Sequence, residues 1–238
     1  MCDLVALSRT IPIAALEHRL YLKPVIAARE AAPKPQPSWV ALFLKAFALT
    51  SRSRPCLRQA HFNFPWPRLY EHPSTVAAIT VEREWRGEPA IFFDMLSNPE
   101  TMGIMELHNY LRGLKTRPVE SIRPFCRLIQ ANIAPLPIRR LIWRWLYSFS
   151  GPRRAHYMGT FAINGGTRYP IRPVTTTGAI GNTLYFGPFE ADGSVDVCLT
   201  FDHRVMDGGE IIRSLAELES ILNTDIALEL NALAATAQ

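Results

Sequence analysis

The chain holds few side chains suited to acid–base work at neutral pH, and one of them sits in an organised setting. His203 lies within Phe201-Asp202-His203-Arg204-Val205-Met206-Asp207-Gly208-Gly209. Upstream of it Val195, Val197, Leu199 and Phe201 alternate with Asp196, Cys198, Thr200 and Asp202, the period of a strand with one face on a core. The strand runs directly into His203, and Asp207-Gly208 then turns the chain into a helix. The imidazole is therefore expected at a strand-to-loop junction, where side chains face clefts. Imidazole changes protonation near neutral pH and suits removal of a proton from an attacking nucleophile. His18, His61, His72, His108 and His156 are each isolated, no pair has metal-ligand spacing, and we read all of them as structural.

Several elements must position this histidine. Residues 13–30 have helical content broken by Pro24, and Pro33, Pro35 and Pro37 enforce an extended connector. Ser38 is placed to cap a helix whose Trp39, Val40, Leu42, Phe43, Phe47 and Leu49 recur at helical spacing. Residues 75–84 and 90–93 are expected as strands paired in a hairpin across residues 86–89. Residues 98–114 are expected to be helical. Residues 157–163, 176–180, 183–186 and 195–201 are short β-type runs, with Asp192-Gly193 as a turn, and residues 208–222 return to a helix. Leu136 to Phe149 places Ile138, Leu141, Ile142, Trp145 and Phe149 in an apolar stripe beside Arg139, Arg140 and Arg144. With its several aromatics it has the composition of an interfacial membrane helix. We read it instead as a core or trimer-contact helix, with arginine stems over apolar surface.

With 238 residues, no repeat, no low-complexity tract and no long run of like charge, a single globular domain is expected. The net charge of +5 and pI near 9.2 are a weak pointer to an anionic partner. No zinc-finger, RNA-recognition or helix-turn-helix pattern supports nucleic acid as that partner. Cys2, Cys56, Cys126 and Cys198 are far apart, so neither a zinc site nor a disulfide framework is suggested, and a reducing cytoplasm fits. The N-terminus lacks the basic region of a signal peptide, and the longest apolar stretch is interrupted by Lys45.

The nonamer around His203 resembles the D-H-R-x-x-D-G signature of the catalytic domain of dihydrolipoyl acyltransferases, within the chloramphenicol acetyltransferase-like superfamily. Gly159-Thr160-Phe161-Ala162-Ile163 resembles that family's G-T-F-T-I strand, at a similar interval ahead of the histidine. The resemblance spans the chain, is most specific toward the C-terminus, and is least over residues 98–154. It implies an α/β fold, a two-layer sandwich with a mixed sheet backed by helices, assembled as a homotrimer whose active sites are shared between subunits. It also implies that His203 is the general base in direct acyl transfer. Asp207 would make a structural ion pair with an arginine and fix the histidine loop, with Arg9 and Arg19 as candidate partners. Gly208 would permit a tight turn.

Two departures qualify the match. The family usually places an oxyanion-stabilising serine after the G-T-F-T-I strand, and here that position is Asn164, whose amide is also a donor. Gly165, Gly166, Thr167 and Thr175 to Thr177 offer alternative donors. The chain also begins near the catalytic fold, with no lipoyl or subunit-binding module expected. The implied co-substrate is therefore a thioester of coenzyme A or of a phosphopantetheine arm, or a lipoyl thioester, with no tightly bound cofactor. The acceptor is a thiol, hydroxyl or amine. A catalytically weak or inactive trimeric scaffold on the same fold is the alternative.

Overall fold

The computed structural model describes residues 11–133, 135–165 and 181–236. The strands are β1 Ile13–Tyr21, β2 Gln59–Phe62, β3 Arg68–Glu71, β4 Val76–Trp85, β5 Glu88–Ser97, β6 Phe161–Gly165, β7 Asn182–Phe189 and β8 Ser194–Asp202. Among the described residues six of them form one mixed sheet in the order β1-β8-β7-β6-β4-β5, while β2 and β3 pair separately. The β4–β6 and β6–β7 pairings are parallel and the remainder antiparallel. Helices back the sheet. They are α1 Lys23–Ala31, α2 Trp39–Ser53, α3 Ile104–Thr116, α4 Arg123–Ile133, α5 Leu136–Phe149, α6 Gly151–Met158, α7 Gly208–Ile221 and α8 Ala227–Thr236. None is long and apolar enough to cross a membrane.

The core forms where α2 lies on the sheet. Ser38 Oγ accepts from Ala41 N, as its position ahead of the apolar run predicts. Phe43 stacks on Phe186 at 4.2 Å between ring centroids, and Phe47 meets Phe161 at 5.0 Å. All four rings are buried, each contributing about 1.5–3 kcal/mol. The expected hairpin is present, with Arg86 and Gly87 both at positive φ in a two-residue turn between β4 and β5. The Asp192-Gly193 turn is also formed, with Gly193 at φ +80° and Ser194 N donating to Asp192.

Three local expectations are corrected. Residues 13–21 are a strand, not the start of a broken helix, because β1 pairs with β8 along its whole length from Ile13↔Asp202 to Tyr21↔Ser194. Cross-strand pairing overrides the helix propensity of Ala14-Ala15-Leu16-Glu17, and Pro24 sits in the first turn of α1, where it is tolerated. Tyr157 and Met158 close helix α6, so β6 begins only at Phe161. The last helix continues past residue 222 through a π-turn at Leu222–Ile226 into α8. The expected strand at 176–180 lies outside the described residues.

The Gly159-Thr160 pair stitches β6 to β4. Gly159 has φ +77°, and a Cβ there would stand 3.0 Å from Ala78 N and Val76 O. Thr160 Oγ1 accepts from Val76 N and donates to Val76 O. The motif's first two residues thus build the sheet and leave chemistry to the strands they align.

Candidate active site

His203 stands immediately beyond β8, as its sequence position predicts. Its backbone N–H donates to Pro12 O at 2.9 Å, extending the β1–β8 pairing, while its side chain is exposed. The ring lies 5.7 Å from that of Phe201. It borders an open depression of about 500 Å³, also lined by Cys56, Arg204, Val205, Met206, Asp207, Glu210 and Arg213.

The loop carrying the histidine is fixed by Asp202. This residue is 3% exposed, its carboxylate accepts from Arg204 N at 3.0 Å, and it pairs with the Arg204 guanidinium through contacts of 2.6 and 2.9 Å. The Asp202 carbonyl accepts from Val205 N and Met206 N. Backbone and side chain of one buried residue therefore hold the three residues that follow His203. The Asp202 carboxylate strengthens the proton hold of Arg204, and the nearby Tyr147 phenol adds to this. Tyr147 in turn accepts from Arg154 at 2.9 Å, and the Arg154 guanidinium lies 3.9 Å from the centre of the Tyr147 ring. Arg154 is 3% exposed and also donates to His61 O. Sequence reasoning missed Asp202, Tyr147 and Arg154 as a supporting network. The Asp-His-Arg triplet carried the signal for the first, and nothing local marked the other two.

Among the described residues Asp207 has a capping role. Its side chain is exposed and caps α7, accepting from Glu210 N at 2.9 Å. Arg19 is taken by Asp196 at 2.7 Å on the neighbouring strands, and Arg9 lies outside the described residues. The N-cap is a second reason for an aspartate here, beside the ion pair with Arg9 that the resemblance implies. Loss of the cap alone should cost about 1 kcal/mol in Asp207→Ala, whereas a loss of about 3–5 kcal/mol would mark an ion pair as well, and thermal melting of the variant checks this. Gly208 does not supply a strained turn. Its φ is not positive, and a Cβ would meet only Leu16 Cδ1 at 3.8 Å.

The far wall of the depression is a charged network. Glu210 accepts from Arg54 at 3.0 Å and Arg213 at 2.6 Å, and the Cys56 thiol contacts it at 3.4 Å. Burial, reinforced by the Glu210 carboxylate, pushes the Cys56 thiol up to about 11. Thiolate is therefore scarce at neutral pH, and Cys56 is a poor nucleophile. Behind the wall, burial and the nearby Arg154 and Arg58 hold His72 down to about 4, so it stays neutral. Burial likewise lowers His61, and the Arg204 charge adds to this.

Asn164 is not brought to His203 within one chain. It pairs with Tyr185 on β7, which pairs with Cys198 on β8. His203 follows Cys198 by five positions, placing the two residues about 16 Å apart along the strands and about 10 Å across them. The neighbour of Asn164 across the strands is Tyr185, and the Asn164 side chain partly offsets the upward push of burial on that phenol. Gly165 is needed for packing, because a Cβ would stand 2.3 Å from the Phe186 ring. Gly166, Thr167 and Thr175 to Thr177 lie outside the described residues.

No protein-family model matches the chain, and no curated protein matches its sequence. Solved structures do match. A probable dihydrolipoamide acetyltransferase from Listeria monocytogenes aligns at TM-score 0.62 and 14% identity, covering 98% of this chain and 90% of that one. The cubic core of the pyruvate dehydrogenase multienzyme complex aligns at TM-score 0.63 and 15% identity, covering 95% and 88%. Chloramphenicol acetyltransferase aligns at TM-score 0.54 and 12% identity, covering 92% and 94%. The chain has the chloramphenicol acetyltransferase-like fold, a mixed sheet backed by helices. Within that fold it is similar in structure to the dihydrolipoamide acetyltransferase cores.

Proposed function

We propose that the protein is an acyltransferase, a single catalytic domain in which His203 acts as general base. The acceptor's O–H, N–H or S–H proton passes to the imidazole as the acceptor attacks a thioester carbonyl. The C–S bond then breaks and the proton returns to the departing thiolate, so no acyl-enzyme forms. The observation that carries this reading is an exposed imidazole on a loop braced by Asp202, at the rim of an open depression. Arg204 and Arg213 on the same rim suit an anionic donor, either coenzyme A or a carrier's phosphopantetheine arm, with a lipoyl thioester as a third donor. Purified protein incubated with a panel of acyl-CoAs, with thiol release as the readout, tests the proposal. Absence of release with every donor would favour the scaffold reading.

The separation of Asn164 from His203 in one chain favours a homotrimer, in which the histidine of one subunit meets Asn164 of the next. Mass measurement at micromolar concentration checks the assembly, and a monomer would remove the shared site. Under this reading Asn164→Ala should lower kcat by about a hundredfold with little change in KM, and Asn164→Ser should restore part of the rate. A specific observation supports the inactive-scaffold alternative, because Asn164 is the cross-strand neighbour of Tyr185 and lowers the proton hold of that phenol. If bracing Tyr185 is its whole role, the alanine variant will lose melting temperature and keep its rate.

A further inference from the structure

Helix α5 has two faces, and its apolar stripe is on the outside. Trp143 is half-buried and Tyr147 buried, packing with Met158, Ile11 and Ile13. Ile138 lies nine residues before Tyr147, half a revolution out of phase at about 100° per residue. Ile138, Leu141, Ile142 and Trp145 therefore point away from the protein, at 52%, 69%, 48% and 42% exposure. Of the expected core or trimer-contact helix, the core reading is overturned for this face. Arg140 and Arg144 are exposed along its flank, and Arg153 of α6 is exposed with its guanidinium 4.5 Å from the centre of the Trp145 ring.

Charge sets this region apart from the rest of the chain. Residues 123–158 contain seven of the 26 Lys and Arg and none of the 21 Asp and Glu, which leaves 19 basic against 21 acidic residues elsewhere. The excess positive charge of the protein thus resides in the helical segment that also exposes the apolar stripe. We propose that α5 docks on an anionic lipid bilayer, lying in the interface plane with Ile138, Leu141, Ile142 and Trp145 inserted and the arginines at the headgroups. Apolar side chains, an interfacial tryptophan and flanking arginines on one exposed helix are the combination that a bilayer surface receives. A nucleic acid would use the charge and leave the stripe in water. A second copy meeting this face with its own α5 would bring two acid-free surfaces together, and a copy meeting it with a different surface is distinguished by the assembly mass measured below. This docking goes beyond acyl transfer and does not depend on it.

The test is flotation of the full-length protein with vesicles of phosphatidylcholine alone and of phosphatidylcholine with phosphatidylglycerol, at low and high salt. The protein is expected to float with the anionic vesicles and to be released as salt rises. Leu141→Glu should reduce the bound fraction by about tenfold or more, and Arg144→Ala should weaken binding about fivefold. Both positions are exposed, and unchanged circular dichroism and melting show that the variants remain folded. Equal partitioning of wild type and Leu141→Glu would overturn the proposal, as would failure to float. Failure to float combined with a fall in assembly mass in Leu141→Glu would identify the face as a contact between copies. Tight binding to DNA that Leu141→Glu leaves intact, without flotation, would identify a polyanion partner instead.

Discussion

His203→Ala is expected to lower thiol release from acyl-CoA by about a thousandfold while the protein melts as wild type. The magnitude follows from general base catalysis, which supplies about 10²- to 10⁴-fold. Stability should hold because the side chain is exposed. The bond from its N–H to Pro12 O, just ahead of β1, is a backbone bond that alanine retains. The imidazole therefore contributes chemistry without much packing. His203→Gln keeps a hydrogen-bonding group of similar reach and should be as impaired as alanine, since an amide takes up no proton near neutral pH. A variant that released thiol at the wild-type rate, under conditions where chemistry limits turnover, would remove His203 from the mechanism.

Asp202→Ala should be the most destabilising single change at the site, costing about 3–5 kcal/mol, because it strands the partly buried Arg204 charge. The carboxylate receives the Arg204 guanidinium and backbone N–H, while Arg204 keeps only part of its surface in water. Urea denaturation measures the loss. A double-mutant cycle with Arg204→Met identifies its origin, because removing both charges should cost less than Asp202→Ala alone. Asp202→Asn preserves the shape and an acceptor for Arg204 N, and should fall between. The histidine loop should loosen in all three, so any residual thiol release should drop even where the protein stays folded. If Asp202→Ala unfolded at the same urea concentration as wild type, bracing of the loop would have to be assigned to backbone bonds alone.

What the sequence by itself determined are features written in short-range pattern. The alternation through residues 194–202 placed His203 at the end of a strand, and Ser38 ahead of an apolar run placed the start of α2, because strand period and helix capping act over a few residues. The hairpin around Arg86-Gly87 was legible for the same reason. Tertiary structure decided the rest. Residues 13–21 became a strand because β8 offered a full-length partner far along the chain. The capping of α7 by Asp207 and the bracing of the loop by Asp202 both depend on which groups the folded chain brings to each carboxylate. The burial of Arg154 beside Tyr147 depends on how α5 and α6 pack under the β2–β3 hairpin. The same stripe in the sequence of α5 is compatible with a core or with an exposed face. Which it is depends on whether Tyr147 or Ile138 turns toward the sheet, and periodicity alone carries no information on that choice. The distance between Asn164 and His203 was equally hidden, since it follows from strand order and register, and both are set by pairings between residues far apart in sequence.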